Sequence, residues 1–189
     1  GDSMQTTETT DWKFDFSTLP HWEDRYSMPY IHDKFLDIPQ SNTLCCIYSI
    51  AEVTMCNYVG FLAIIKNKEK PSLFLNIKDF QFCGNMSANS KGNLIFLQPS
   101  IYDRKAHRMK RPILIIDIEK NRFAYRDINN LNPCYTVAEL KDGVFRIDAD
   151  AYQTEQDTRL LALSREEIRT TRLKWRHLME LHALPQLMA

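Results

Sequence analysis

The densest cluster of chemically capable side chains lies in the stretch 103–112, Asp-Arg-Lys-Ala-His-Arg-Met-Lys-Arg-Pro. Its basic residues are Arg104, Lys105, His107, Arg108, Lys110 and Arg111. Guanidinium and ammonium groups pair with phosphate oxygens, so the stretch could bind a phosphate-bearing ligand or nucleic acid. A run of charges in a long connection is, however, usually solvated, and acidic stretches at 11–24 and 148–157 offer partners within the chain. Both interpretations stay open.

A second group of charged residues, Asp148, Asp150, Glu155 and Asp157, opens with the D-x-D spacing of a calcium loop. The sixth position of such a loop requires glycine, which is missing here, and Arg159 stands at the twelfth, where an acid belongs. Carboxylates also favour the N-terminus of a helix, which accounts for the same residues without a metal. We therefore predict no metal site.

The histidines and cysteines form no motif in the sequence. His177 and His182 are five residues apart, so they would not share a helical face as a metal pair does. The cysteines are Cys45, Cys46, Cys56, Cys83 and Cys134, an odd number without a C-x-x-C pair. They indicate free thiols in a reducing compartment, and we expect a cytoplasmic protein.

Motifs of nucleophilic, metal-dependent and nucleotide-dependent catalysis are also missing from the sequence. We therefore predict no catalytic residue and no cofactor, with an enzyme whose active site is dispersed along the chain as the alternative. The formal net charge is zero, from 24 basic and 24 acidic side chains. Binders of nucleic acid or anionic membranes usually carry a basic excess, so the balance argues against both. The partner we expect is another protein or a second copy of this chain.

The elements that must position these residues follow a pattern that occurs twice, in 43–77 and 92–128. In each copy an apolar strand is followed by a polar excursion, a second apolar strand, a tight polar turn and a third strand. The six predicted strands are Leu44–Ile47, Gly60–Ile65, Leu73–Ile77, Leu94–Leu97, Ile113–Ile118 and Arg122–Ile128. A unit repeated at this period cannot bury its own apolar face, so the two copies are expected to pack together. The adjacent Cys45 and Cys46 would point to opposite faces of the first strand.

Two segments of this pattern are similar to a known repeat: Ser90–Leu97 (S-K-G-N-L-I-F-L) and Ile113–Ile118 (I-L-I-I-D-I). A polar glycine turn leading into a strand, and a hairpin strand that bears an aspartate, resemble blades of the β-propeller repeat. The resemblance covers 43–128 and implies antiparallel blades. Closure of a ring needs about four or more blades, which the chain does not supply beside its terminal segments. We interpret the pattern as an antiparallel meander and assign no family.

A further hairpin and a terminal helix complete the predicted elements. The strands Tyr135–Leu140 and Val144–Ala149 flank an Asp-Gly step, which favours a tight turn. From about Glu155 onward, apolar residues recur at helical spacing and predict one long amphipathic helix, or two shorter ones, ending near His182. Its apolar face consists of Leu161, Ile168, Trp175 and Leu178. This face would either dock on the protein's own sheet or bind a partner.

The sequence thus predicts a mainly β protein (a β-rich α+β fold), an antiparallel meander of repeated three-stranded, propeller-blade-like units with a C-terminal amphipathic helix. Residues 1–10 are expected to form a disordered tail, 11–154 a single β-rich domain, and 155–189 a helical segment packed on the sheet. We expect a non-enzymatic protein-interaction module. The alternatives are a binder of phosphate ligands or nucleic acid through 104–111, and an enzyme with a dispersed active site.

Overall fold

The computed structural model describes residues 14–25, 34–51, 58–67, 69–78, 80–82, 86–103, 105–127, 134–150 and 164–188. The described strands are β1 (Lys34–Ile38), β2 (Thr43–Ala51), β3 (Tyr58–Lys66), β4 (Lys70–Lys78), β5 (Phe80–Phe82), β6 (Ser87–Ala88), β7 (Leu94–Leu97), β8 (Pro99–Asp103), β9 (Arg108–Lys110), β10 (Ile113–Asp117), β11 (Arg122–Arg126), β12 (Cys134–Lys141), β13 (Val144–Asp150), β14 (Ser164–Arg169) and β15 (Arg176–His177). Helical turns of the 3₁₀ type lie at Phe16–Thr18, Trp22–Asp24, Pro39–Ser41, Thr170–Arg172 and Leu178–Ala183, and helix α1 spans Leu184–Leu187. The predicted tail 1–10 lies outside the described residues.

The described strands form four antiparallel sheets. Sheet I has the order β1-β2-β3-β4, sheet II the order β15-β11-β10-β7-β6, sheet III the order β12-β13-β14 and sheet IV the order β5-β8-β9. The mainly β, antiparallel fold predicted from the sequence is confirmed. Within the described part of the chain, no helix is long and apolar enough to cross a membrane.

The six strands predicted from the twofold pattern are all present. β2, β3 and β4 are consecutive neighbours in sheet I, and β7, β10 and β11 are consecutive neighbours in sheet II. Tight turns within them use asparagines with positive φ, 58° at Asn67 and 53° at Asn121, a conformation that asparagine tolerates better than most residues. In both units, the three strands are neighbours in the same order along the sheet. That the two units are copies of one repeat stays a prediction.

Three apolar cores lie between successive layers of the chain. The first core joins the N-terminal segment to one face of sheet I, and it contains Phe14, Phe16, Leu44, Cys46 and Tyr48 among others. The central core joins the other face of sheet I to sheet II, and it contains Cys45, Ile47, Leu62, Ile95 and Leu114 among others. The third core joins sheet II to sheet III, and it contains Phe96, Ile113, Tyr135, Phe145 and Ile168 among others.

Alternation of side chains explains why the central strands are apolar throughout. In β7, Ile95 and Leu97 face the central core while Leu94 and Phe96 face the third core. Successive residues of a strand point to opposite faces, so a sheet packed on both sides needs apolar residues at every position. Since strands of both units contribute to the central core, the two units pack against one another, as the sequence predicts.

The C-terminal segment differs from the predicted helix. Ser164–Arg169 is strand β14, which pairs with β13, and α1 begins only at Leu184. In β14, Ile168 is buried while Arg165, Glu167 and Arg169 are exposed, which is the alternation of a strand with one buried face. The short helix and the preceding 3₁₀ turn contribute Leu178, Leu181 and Leu184 to the central core. The predicted covering of the sheets by the C-terminus therefore exists, with a much shorter helix.

Candidate functional site

The basic stretch 103–112 folds as a hairpin between β8 and β9. Asp103 ends β8, and its Oδ1 accepts hydrogen bonds from the backbone N–H groups of Lys105 (3.0 Å) and Ala106 (3.2 Å). These backbone bonds, first of all the one from Ala106, and the bond from Lys110 lower the pKa of the Asp103 carboxyl. The turn is completed by His107, whose φ is 50°. An aspartate that caps a turn in this way has a structural role.

Lys110 has a structural role in the same hairpin. Its Nζ lies 3.2 Å from Oδ2 of Asp103 and donates a 2.6 Å hydrogen bond to the carbonyl oxygen of Met188. Only 14% of its side chain is exposed. The ammonium group thus ties the hairpin to the C-terminal segment, and this cation is already neutralised within the chain.

The remaining basic side chains that the structure describes, Lys105, His107 and Arg111, do not share one environment. Lys105 and His107 are exposed at the tip of the hairpin, whereas Arg111 is half-buried. The Nε atom of Arg111 is sealed from solvent without a hydrogen-bond partner, and its carbonyl oxygen accepts a hydrogen bond from the Tyr135 hydroxyl. Arg104 lies outside the described residues. The backbone of Arg108 belongs to β9.

The residues predicted as a partner-binding helix face do not share a face. Ile168 lies in β14 and is fully buried in the third core, and Leu178 is buried in the central core. Trp175 is half-buried; its Nε1 donates a 2.8 Å hydrogen bond to the Thr170 carbonyl, and the Arg122 guanidinium lies 4.2 Å from the ring centroid. Leu161 lies outside the described residues. Ile168 and Leu178 are buried inside the protein, so they are not available to a partner.

A surface missed by the sequence analysis lies on the outer side of sheet III. We call it the charged face, and it consists of Thr136, Arg146, Asp148, Arg165, Glu167 and Arg169. The register places Asp148 opposite Arg165 and Arg146 opposite Glu167. Asp148 forms ion pairs with Arg146 (3.0 Å) and Arg165 (3.1 Å), and Glu167 pairs with Arg169 (2.9 Å). The face is therefore an ordered set of alternating charges.

The charged face is supported by a buried side of the same sheet. Tyr135, Phe145, Ile147 and Ile168 point into the third core, where the rings of Phe96 and Phe145 are 4.7 Å apart. Arg165 is 67% exposed, and Arg146 and Arg169 are each 45% exposed. The signal for this face in the sequence is the alternation of charged and apolar residues in Ser164–Arg169, which the helical interpretation of Ile168 overlooks.

A pocket of about 210 Å³ lies between sheets II and III. It is lined by Ser87, Phe96, Leu97, Gln98, Ile113, Tyr135, Thr136 and Val137. Gln98 is buried where the chain leaves β7 for β8, and its Nε2 donates a 2.8 Å hydrogen bond to the Tyr135 carbonyl. The pocket brings together residues from three separate parts of the chain, and no sequence motif marks it.

Cys45 and Cys46 occupy opposite faces of β2, as predicted. Cys45 lies in the central core and Cys46 in the first core, and neither of the two forms a disulfide bond. Burial raises the pKa of the Cys45 thiol to about 12. Cys56 and Cys83 lie outside the described residues. Among the residues that the structure describes, no group of three or more His, Cys, Asp or Glu side chains is placed to hold a metal ion.

Comparison with protein-family models, with curated proteins and with solved structures gives no match to this chain. The functional argument therefore depends on the geometry described above.

Proposed function

We propose that this protein is a non-enzymatic interaction module that binds another protein through the charged face of sheet III. The observation that supports the proposal is the ordered alternation of Arg146, Asp148, Arg165, Glu167 and Arg169 on a sheet whose other side is buried. Because the backbone is fixed by the third core, little order has to be gained on binding. Mixed charge suits a protein partner with a complementary pattern better than it suits the uniformly negative nucleic acid backbone.

The size of the charged face bears on how the partner must bind. Three strands of about six residues span about 300 Å², whereas a stable complex buries about 800 Å² on each partner. We therefore expect the partner to extend onto the neighbouring turns, where Lys91 and Asp142 form a 2.8 Å ion pair between the sheet II and sheet III hairpins. A second copy of this chain carries the same pattern of alternating charges, so we include it among the expected partners.

The test compares two variants that change the net charge equally. Arg146→Glu with Arg169→Glu alters the charged face, and Lys105→Glu with Lys120→Glu alters two exposed turns elsewhere. Each purified protein is immobilised and incubated with extract of its native cells, and bound proteins are quantified by mass spectrometry. The dimer of the chain itself is followed by sedimentation.

We expect the first variant to weaken the specific complex by about tenfold or more and the second to leave it unchanged, because only the first opposes the partner's charges. Circular dichroism and thermal unfolding establish that both variants fold. Retention of the complex by the first variant contradicts the proposal. Its loss in the second variant, with the first unaffected, favours the basic hairpin instead.

A ligand bearing phosphate is the second candidate, supported by the exposed Lys105 and His107 at the tip of the β8–β9 hairpin. Lys110 would not take part, since Asp103 and the Met188 carbonyl already occupy it.

An enzyme with a dispersed active site is the third candidate. It needs titratable groups that converge on a pocket, and the pocket between sheets II and III contributes Tyr135, whose hydroxyl already donates to the Arg111 carbonyl.

A further inference from the structure

The pocket between sheets II and III has a size that restricts its ligand. Its volume is about 210 Å³. A buried apolar cavity of about 150 Å³ holds benzene, and sites for drug-sized molecules begin at about 300 Å³. The pocket therefore has room for one ring with a small substituent.

The walls of the pocket restrict the charge of the ligand. The side chains of Phe96, Ile113 and Val137 form apolar walls, and Ser87, Gln98, Tyr135 and Thr136 are neutral polar residues of the lining. Among the lining residues that the structure describes, none is an acid, a lysine, an arginine or a histidine. Transfer of an unpaired ion into such surroundings is costly, so an uncharged ligand is favoured.

The orientation of Gln98 defines the polar contact that the pocket offers. A carbonyl oxygen can only accept hydrogen bonds, so the Tyr135 carbonyl fixes the nitrogen of the Gln98 amide on its own side. Among the described residues, none donates a hydrogen bond to the remaining Oε1 atom of Gln98. Gln98 as a whole is 7% exposed, so a hydrogen bond formed to its Oε1 inside the pocket would be shielded from bulk solvent. An acceptor in such a pocket favours a ligand that brings a donor.

We propose that this pocket binds a small neutral molecule built on a single ring and bearing an N–H or O–H donor, with the ring against Phe96 and Val137 and the donor on Oε1 of Gln98. Ser87 also lines the pocket, and its hydroxyl can donate to or accept from a second polar atom of the ligand. Arg146 and Arg169, which the test of the charged face alters, are not among the described residues of the pocket, so its ligand and the proposed protein partner can be tested separately.

The experiment uses benzamide as the probe and benzoate as its anionic match. Isotope-labelled protein is titrated with each compound, and backbone and side-chain amide resonances are followed by NMR. Benzamide has the ring and the N–H donor, whereas benzoate has the same shape, a charge and no donor. We expect saturable shifts centred on Gln98, Phe96 and Val137 with benzamide, and at least about tenfold weaker binding of benzoate.

Two variants complete the test. Gln98→Met keeps the volume and removes the acceptor, and it should weaken benzamide by about three- to tenfold. Val137→Phe fills the pocket without altering Gln98, and it should abolish the shifts even if Gln98→Met fails to fold. The proposal is overturned if wild-type protein does not respond to benzamide, if the shifts lie away from the pocket, if benzoate binds as well, or if either folded variant binds benzamide as wild type does.

Discussion

The thiol of Cys45 lies in the central core, where water does not solvate its charged form. Burial raises its pKa from 9.0 to about 12. Between pH 9 and pH 12 the Cys45 thiol therefore stays protonated in the folded state, whereas it is ionised in the unfolded chain. Stability from this group is complete below pH 9 and is lost progressively as the pH rises from 9 towards 12.

We predict that the free energy of unfolding of wild-type protein falls relative to that of Cys45→Ala as the pH rises, by about 1 kcal/mol between pH 8 and pH 10. Urea unfolding of both proteins at each pH gives this difference, and the comparison cancels the titration of tyrosines and lysines common to both. A difference that does not change with pH would show that the thiol is solvated.

Lys110 illustrates what the sequence does not reveal about single residues. Within the stretch 103–112 it is one cation among several, and its charge alone predicts an exposed side chain. The structure places its Nζ against the carbonyl of Met188, which is 78 residues away in the chain. The partner of a charged group at this separation is decided by the fold and not by the local sequence.

At the scale of single elements, the 3₁₀ turn Leu178–Ala183 is defined by the residues at its start. His177 Nδ1 accepts a 3.1 Å hydrogen bond from the Met179 N–H, and Glu180 Oε2 accepts a 3.2 Å bond from the His177 N–H. The two bonds form a reciprocal cap, which satisfies N–H groups that a helical turn leaves free. The cap aligns the turn so that Leu178 and Leu181 enter the central core.

We predict that His177→Ala lowers the free energy of unfolding by about 1 kcal/mol, because the acceptor of the cap is lost. His177→Asn is the control, since asparagine supplies a side-chain oxygen at the same position and should preserve most of the stability. Urea unfolding at pH 8 measures both. Equal loss in the two variants would indicate that the ring of His177 stabilises the turn by packing and not by capping.

The prediction of a C-terminal helix is wrong over Ser164–Arg169, which is a strand, and the reason lies in the spacing of apolar residues. Ile168 and Trp175 are seven residues apart, which is close to two helical turns, but a short amphipathic strand next to a turn can produce the same spacing. The deciding contribution is the pairing of β14 with β13, which also places Ile168 opposite Phe145. Local periodicity does not report the position of that neighbouring strand.

At the scale of the whole molecule, the C-terminal segment closes the space between sheets I and II. β15 pairs with β11 of sheet II, while the turn Leu178–Ala183 contacts β4 of sheet I. Leu181 is completely buried in the central core, and Met179 on the same turn is 53% exposed. A substitution at Leu181 therefore tests the packing of the segment in the core, whereas a substitution at Met179 tests the helical turn without that packing.

We predict that Leu181→Ala destabilises the whole protein by about 2–5 kcal/mol, because a cavity forms in a core shared by both sheets. Met179→Ala should change the free energy of unfolding by less than about 0.5 kcal/mol. Hydrogen exchange of β2 and β10 amides, together with urea unfolding, measures the effect on both sheets. A loss of protection confined to the C-terminal segment in Leu181→Ala would mean that the segment is not part of the shared core.

Local patterning predicts the six strands of the twofold pattern and the hairpin around Asp142-Gly143, because the alternation of side chains is a local property of an extended chain. The structure contains Leu94–Leu97 as β7 and most of Ile113–Ile118 as β10, and it places Cys45 and Cys46 on opposite faces of β2, as predicted. The turns at Asn67 and Asp142-Gly143 were local in the same sense, since they depend on the backbone preferences of one or two residues.

Which residues form surfaces and sites depends on how distant segments pair and pack. The charged face needs three strands in register, and the pocket needs Gln98 beside Tyr135, residues that no local pattern connects. The same is true of β14, whose strand conformation depends on β13. Pairing and packing between distant segments are set by the total burial of apolar surface and the pairing of backbone polar groups, and these quantities are properties of the whole chain.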